Sequence, residues 1–257
     1  MIAEIPGARL WYDEQGRGEP IVLLHAGGGS SAMHGAQLAA FAAAGYRAIA
    51  YDRRGYGRTE ADPEATVPAS EDLHALAEKL GLAKFHLVGT AAGGIAALDY
   101  ALSHPERLLS LVVANSIGGA KDEDYVALQK RLRPPQFDAL PADVRELGPV
   151  FRAANPEGTK RWVELEHAAQ QKGAVRLPPT KNRITFAALG TLRVRTLLIT
   201  GDADLYAPQP VMQRYADAIP GAQSLVIPAC GHSAFWEQPA RFNRAVLDFI
   251  NRGQAPI

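Results

Sequence analysis

Short, continuously apolar runs alternate with helical patterns along most of this chain, and that alternation limits the folds open to it. The runs are Pro20–Ala26 (PIVLLHA), Arg47–Asp52 (RAIAYD), Lys84–Gly89 (KFHLVG), Leu108–Asn115 (LLSLVVAN), Thr196–Gly201 (TLLITG) and Ala222–Pro228 (AQSLVIP). Runs apolar at every position suit parallel strands covered on both faces, whereas a half-exposed strand alternates. Arg9–Asp13 (RLWYD) reads as part of an N-terminal hairpin. Helices are predicted over Ser31–Ala44, from Ser70 as a cap to Gly81, and over Ala92–Ser103, Pro210–Ile219 and Pro239–Asn251. Strand–helix repetition of this kind gives an α/β fold with a mostly parallel central sheet.

Gly118 to Arg183 breaks the rhythm. It holds no good strand, several helical patches and breakers at Pro134-Pro135, Pro141, Pro149, Pro156 and Pro178-Pro179. Long excursions without strands tend to carry function, so residues 118–183 are predicted to be a helical lid. The core domain then comprises 1–117 and 184–257. The excursion carries 12 Lys and Arg against 9 Asp and Glu. This mild excess suggests a carboxylate-bearing substrate, with Arg133, Arg161 and Arg183 as candidates to hold it.

Composition excludes several classes. Lys and Arg number 27 against 27 Asp and Glu, so the chain lacks the basic excess of a nucleic-acid binder. No apolar run is long enough to span a membrane, and no apolar signal core opens the chain, so a cytoplasmic location is expected. The single cysteine, Cys230, excludes an internal disulfide and a Cys-cluster metal site, and it reads as a buried apolar residue. The histidines lack metal spacing, and neither metal nor cofactor is called for.

The chemistry concentrates in Phe85–Gly94 (FHLVGTAAGG), where a strand runs into a helix with almost no loop. Such a turn strains its apex and brings strand and helix close, so small residues are needed two places either side. Gly89 and Gly93 stand there, in the spacing of the G-x-S-x-G nucleophile elbow. The apex, however, is Ala91, which has no nucleophile. Three readings stay open on these residues alone. Ala91 is a deliberate Ser→Ala change that leaves an inactive form, or it marks a natural non-enzymatic relative, or the glycines only allow close packing.

Other loops leave the same sheet edge, where ligands of open α/β sheets bind. His25-Ala26-Gly27-Gly28-Gly29 follows the first apolar run and is where a second oxyanion N–H would arise. A phosphate loop there would need a following Lys-Ser/Thr or a G-x-G-x-x-G spacing, and neither is present. Asp52–Thr59 (DRRGYGRT) reads as a structural brace, and His25 as a hydrogen-bonding support for the glycine loop. Asp202 and Asp204 close the fifth run, and His232 follows the sixth. Spacing alone does not choose between the two acids.

Together the motifs LLHAGGG (Leu23–Gly29), DRRGYGRT, GTAAGG (Gly89–Gly94), GDADLYAP (Gly201–Pro208) and GHSAFWEQP (Gly231–Pro239) resemble the α/β-hydrolase-fold superfamily, in its lid-bearing esterase, lactonase and C–C hydrolase type. They span nearly the full chain in the expected order. The resemblance implies about eight strands flanked by helices. It implies a Ser-Asp-His triad with Ala91 at the nucleophile position, Asp204 as acid and His232 as base. It also implies oxyanion N–H donors at Gly27 and Ala92. Gly28, His34, Trp162 and Phe235 are expected to touch a small ester, lactone or related acyl or C–C substrate. Two departures stand out: Ala91 itself, and Ala26 in place of the usual glycine. The alternatives are a natural ligand-binding protein on the same fold, or an enzyme that uses His232 as a base without a serine. No motif fixes an oligomeric state.

Overall fold

The computed structural model describes residues 1–62, 66–173 and 178–252. Positions 174–177 of the expected lid, and 63–65 and 253–257 of the expected core, lie outside the described residues. The strands are β1 (Ile2–Ile5), β2 (Ala8–Gln15), β3 (Pro20–Leu24), β4 (Arg47–Tyr51), β5 (Glu60–Ala61), β6 (Phe85–Thr90), β7 (Leu108–Ala114), β8 (Thr196–Gly201) and β9 (Gln223–Ile227). They form one sheet in the order β1-β2-β4-β3-β6-β7-β8-β9, with β5 on β2. From β4 to β9 every pairing is parallel, and the hairpin β1–β2 joins antiparallel at one edge.

Both faces of the sheet are covered, which explains the unbroken apolar runs. Val22, Leu24, Ile49, Tyr51, Leu111 and Val113 enter one buried cluster; the alternate residues Ile21, Leu23, Ala48, Ala50, Val112 and Ala114 enter another. The first cluster takes Leu73 and Leu76 from α2 (Ala69–Lys79), Leu98 from α3 (Ala92–Ser103) and Val211 from α9 (Gln209–Ala218). The second takes Leu38 and Phe41 from α1 (Gly35–Ala43) and Phe242 and Val246 from α11 (Pro239–Asn251). A period of two, buried on both sides, is what a parallel sheet between helix layers requires.

One expected cap is corrected. Pro68 precedes α2, and Ser70 instead sits buried within the helix and donates to Asp99 Oδ2 at 2.5 Å. A carboxylate on the neighbouring helix outcompetes the exposed backbone N–H groups for that hydroxyl.

Between β7 and β8 the chain forms α4 (Glu123–Leu132), α5 (Ala142–Glu146), α6 (Pro149–Ala154), α7 (Pro156–Ala169) and α8 (Phe186–Leu189), with no strand among the described residues. The end of α7 is tied to the loop after β4: Gly57 N–H donates to Ala169 O at 2.7 Å and Gln171 N–H to Gly55 O at 2.8 Å. The end of α7 is thereby fixed to the loop that leaves the carboxyl end of β4.

The β6–α3 junction depends on missing side chains. A Cβ on Gly89 would come within 2.5 Å of the Gly93 carbonyl oxygen, and one on Gly93 would overlap the Leu24 carbonyl. These are backbone atoms that no rotamer change can move. Gly93→Ala is expected to lower the unfolding free energy by about 3 kcal/mol, read as a fall in the urea midpoint. An unchanged midpoint would mean that α3 can draw away from the sheet freely.

Candidate active site

Ala91 is the single residue between β6 and α3, at φ 49° and ψ −113°. A non-glycine residue there costs about 1–3 kcal/mol and persists only where the surroundings hold it. They do so here through backbone and hydroxyl groups. Ala91 N–H donates to Ala114 O at 2.9 Å, and its carbonyl accepts from Gly94 N–H at 3.0 Å and from Ser116 Oγ at 2.6 Å.

Ala91 faces a cavity of about 220 Å³, which Gly27, Gly28, Ala92, Tyr206 and His232 also line. The β9–α10 loop, leading to α10 (Ala234–Glu237), brings His232 there. Its Nδ1 lies 2.8 and 2.9 Å from the two carboxylate oxygens of Asp204. That bond occupies Nδ1 and leaves Nε2 as the ring nitrogen free to serve the cavity. The Tyr206 ring packs on the imidazole at a tilt of 35°, with centroids 4.4 Å apart.

Asp204 is itself fixed. Oδ1 accepts the N–H groups of Tyr206 and Ala207, each at 2.8 Å, and Oδ2 accepts Asn115 Nδ2 at 3.0 Å. Burial opposes its charge, yet the imidazole of His232 and these donors outweigh it and hold the pKa below the usual carboxylate value. Burial also opposes a charged imidazole at His232. There the carboxylates of Asp204, Glu146 and Glu237 prevail and raise the pKa. Asp202 faces elsewhere, accepting Cys230 N–H at 3.2 Å, so geometry separates two acids that spacing could not.

Glu237 locks the histidine loop against the excursion. Its carboxylate accepts the N–H groups of Gly148 at 2.9 Å, Gly231 at 3.0 Å and Ser233 at 3.3 Å. Across the cavity, His25 Nε2 accepts Arg53 N–H at 3.0 Å, so its proton sits on Nδ1, which reaches Ala26 O at 2.7 Å. Tyr56 donates to Gly27 O at 3.0 Å, and Asp52 accepts the N–H groups of Ser31 at 2.7 Å and Arg58 at 2.8 Å. The glycine loop is thus held from both ends.

Three expected contacts are not among the residues that line this cavity. Trp162 and Phe235 are buried in the core cluster on the α1 and α11 face, Phe235 also lines a separate surface groove, and His34 is buried beside it. Burial lowers the His34 pKa to about 4, and its ring packs 4.9 Å from that of Phe235. Of the proposed arginines only Arg133 reaches the cavity; Arg161 lines a separate surface groove and Arg183 is exposed. No sequence signal marks Asn115, Phe137, Arg145, Glu146 or Tyr206 as site residues. Thr90 turns away, donating to Leu24 O at 3.1 Å, and burial raises the Cys230 thiol pKa well above its ordinary value.

A second row of acid, histidine and serine occurs at the opposite ends of the strands. His86 contacts Glu19 Oε1 and Ser110 Oγ, each at 2.7 Å. Ser110 is fully buried, so this row cross-links the sheet and has no access to substrate. Among the described residues no cluster of three or more His, Cys, Asp or Glu can hold a metal, and no helix is long and apolar enough to cross a membrane.

A sequence profile described as the alpha/beta hydrolase family matches residues 21–245. The chain is 31% identical to a 2-hydroxy-6-oxononadienedioate/2-hydroxy-6-oxononatrienedioate hydrolase of Burkholderia vietnamiensis, over 95% of this chain and 91% of that protein. It is 29% identical to a 2-hydroxy-6-oxo-6-phenylhexa-2,4-dienoate hydrolase of Burkholderia cepacia, over 95% and 92%. Among solved structures it resembles a thermophilic esterase from Thermogutta terrifontis, with TM-score 0.84, 25% identity and 98% of each chain covered. It also resembles a meta-cleavage product hydrolase from Pseudomonas fluorescens, solved as a serine-to-alanine mutant with acetates. There the TM-score is 0.79, identity is 25%, and 98% of this chain and 97% of that one are covered.

Proposed function

Because the chain belongs to the alpha/beta hydrolase family, we propose that its site is that of a serine-type hydrolase for a small ester, lactone or related acyl or C–C substrate, with Ala91 replacing the serine and stopping the reaction before acylation. The supporting observation is the pairing of His232 with Asp204 beside a strained apex residue on one cavity. A chain with no hydrolytic history has little use for a buried imidazole held on a carboxylate at that point.

With a serine at position 91, the hydroxyl proton passes to His232 Nε2 as Oγ attacks the carbonyl carbon. The N–H groups of Gly27 and Ala92 hold the resulting oxyanion. Collapse breaks the scissile bond, and the leaving group takes the proton from the imidazolium. A water, deprotonated by His232, then attacks the acyl-enzyme and frees the acid. Asp204 keeps the proton on Nδ1 and stabilises the imidazolium. No cofactor enters. Residues 118–183 act as a lid over the core of 1–117 and 184–257, supplying Arg133 and Phe137 to the cavity.

The second reading, a ligand-binding protein without catalysis, is favoured by Ala91 alone. Labelling separates the two. The variant Ala91→Ser is expected to react covalently with a fluorophosphonate, giving a mass increase of one adduct. A folded variant that stays unlabelled supports the binding protein instead.

A further inference from the structure

A second cavity, of about 380 Å³, lies on the other side of Ala92. It shares Ala92 and Ile95 with the first cavity, so both open onto the first turn of α3. Arg53 lines only the second. We propose that this cavity is a subsite for the carboxylate end of the ligand, held by Arg53 with Lys121 at its rim.

Among the described residues no carboxylate pairs with the Arg53 guanidinium. Arg53 is only 3% exposed. Its Nη2 donates to Ala26 O at 3.1 Å, and its Nε has no hydrogen-bond partner. Its nearest ring neighbours are Tyr56, 4.7 Å from the guanidinium carbon, and His25. His25 Nδ1 carries a proton and cannot accept from it. Burial lowers the Arg53 pKa, and what offsets this is the Tyr56 hydroxyl, hydrogen-bonded to Arg53, together with the Tyr51 hydroxyl; neither is a carboxylate. The adjacent Arg54, by contrast, pairs with Asp72 at 2.8 Å. A buried charge left unpaired is costly unless something else supplies the counter-ion.

Among the described residues the second cavity offers no such partner of its own. Asp99 lines it, but its oxygens are taken by Ser70 Oγ, the N–H groups of Lys181 and Asn182, and Asn182 Nδ2, at 2.5 to 2.9 Å. Lys121 adds an exposed positive charge at the edge. The first cavity is lined by two guanidinium groups, Arg133 and Arg145, and by two carboxylates, Asp138 and Glu146, and Arg145 Nε there also lacks a hydrogen-bond partner. The second cavity sets Arg53 and Lys121 against a single carboxylate, Asp99, whose oxygens are already engaged, so its lining carries the positive excess. A planar carboxylate accepts paired bonds from a guanidinium, and a ligand lying across Ala92 would present its reacting carbonyl to the first cavity and its carboxylate to Arg53.

This deepens the proposed hydrolase reading, but its test needs no turnover. Monomethyl glutarate and dimethyl glutarate are titrated calorimetrically into the chain as it stands. The monoester is expected to bind at least about 10-fold tighter, the value of one charge-assisted contact. Arg53→Gln should erase that preference, and Lys121→Gln should reduce it about 3-fold, since an exposed charge acts more weakly. Lys121→Gln should leave dimethyl glutarate affinity unchanged. Arg53 also steadies the glycine loop, so Lys121→Gln, at an exposed position, keeps the test valid should Arg53→Gln fail to fold. Equal affinity for the two esters overturns the proposal. So does a preference that survives both changes yet vanishes in Arg145→Gln, which would put the carboxylate in the first cavity. Failure of Ala91→Ser to label leaves these binding results standing; loss of the preference leaves the labelling standing.

Discussion

Ala91→Ser is expected to raise hydrolysis of p-nitrophenyl butyrate by about 10⁴–10⁶-fold, because a triad works as a unit and most of its effect is lost with any one member. The gain should be this large because nothing else has to change. The backbone at position 91 already holds the strained conformation, tied by Ala114, Gly94 and Ser116. The added oxygen extends from a Cβ that already faces the cavity with His232. Stability should move by no more than about 0.5 kcal/mol, since serine meets the same backbone strain as alanine. The pH profile carries a second check. His232 must be neutral to take the serine proton, and burial, though opposed to its charge, is outweighed by the surrounding carboxylates. Its pKa is therefore raised, and kcat/KM should climb with pH through a midpoint above the ordinary imidazole value of about 6.5. Stopped-flow or plate assays between pH 5 and pH 10 read both quantities; a folded variant with no rate above background would refute the assignment of position 91.

Legibility followed physical range. The parallel strands could be read because burial on both faces writes itself into consecutive residues such as Ile21–Leu24. The elbow could be read because close packing of a strand on a helix admits only glycine at Gly89 and Gly93. The two-residue strand β5 leaves no pattern long enough to see. The apolar run ending at Asn115 reads as strand to its last residue, whereas Asn115 turns at φ 48° and clamps Asp204 and the Gly231 carbonyl. That role depends on β7 and β8 being neighbours, which no local window contains. Trp162, from the expected lid, and Phe235 and His34, from loops beside the site, are aromatic candidates for the ligand, yet all three are buried away from the residues that line the first cavity, a direction that no local pattern in the sequence records. Arg145 and Glu146 reach the cavity only because α5 is folded back over the strand ends, and sequence shows the helix without showing its direction.

In the Ala91→Ser background, Asp204→Asn is expected to lower kcat by about 10⁴-fold while leaving the fold intact. The loss follows from which way the amide must sit. The Oδ1 position accepts two backbone N–H groups, from Tyr206 and Ala207, so it has to remain an oxygen. The amide nitrogen then takes the Oδ2 position, 2.9 Å from His232 Nδ1, where it can only donate. An Nδ1–H would meet that amide N–H head-on and keep only the Oδ1 oxygen at 2.8 Å, already shared by two backbone N–H groups, so the tautomer with its proton on Nε2 is favoured, and in it that nitrogen cannot take a proton from serine. The same nitrogen also meets Asn115 Nδ2, a second donor, so a modest loss of stability accompanies the change. Because the Asp204 carboxylate is the main group raising the His232 pKa against burial, its removal should shift the acid limb of the residual activity to lower pH. A variant that kept kcat within about 10-fold, with its acid limb unmoved, would show that Asp204 neither orients nor charges the histidine, and the base would have to be sought elsewhere in the cavity.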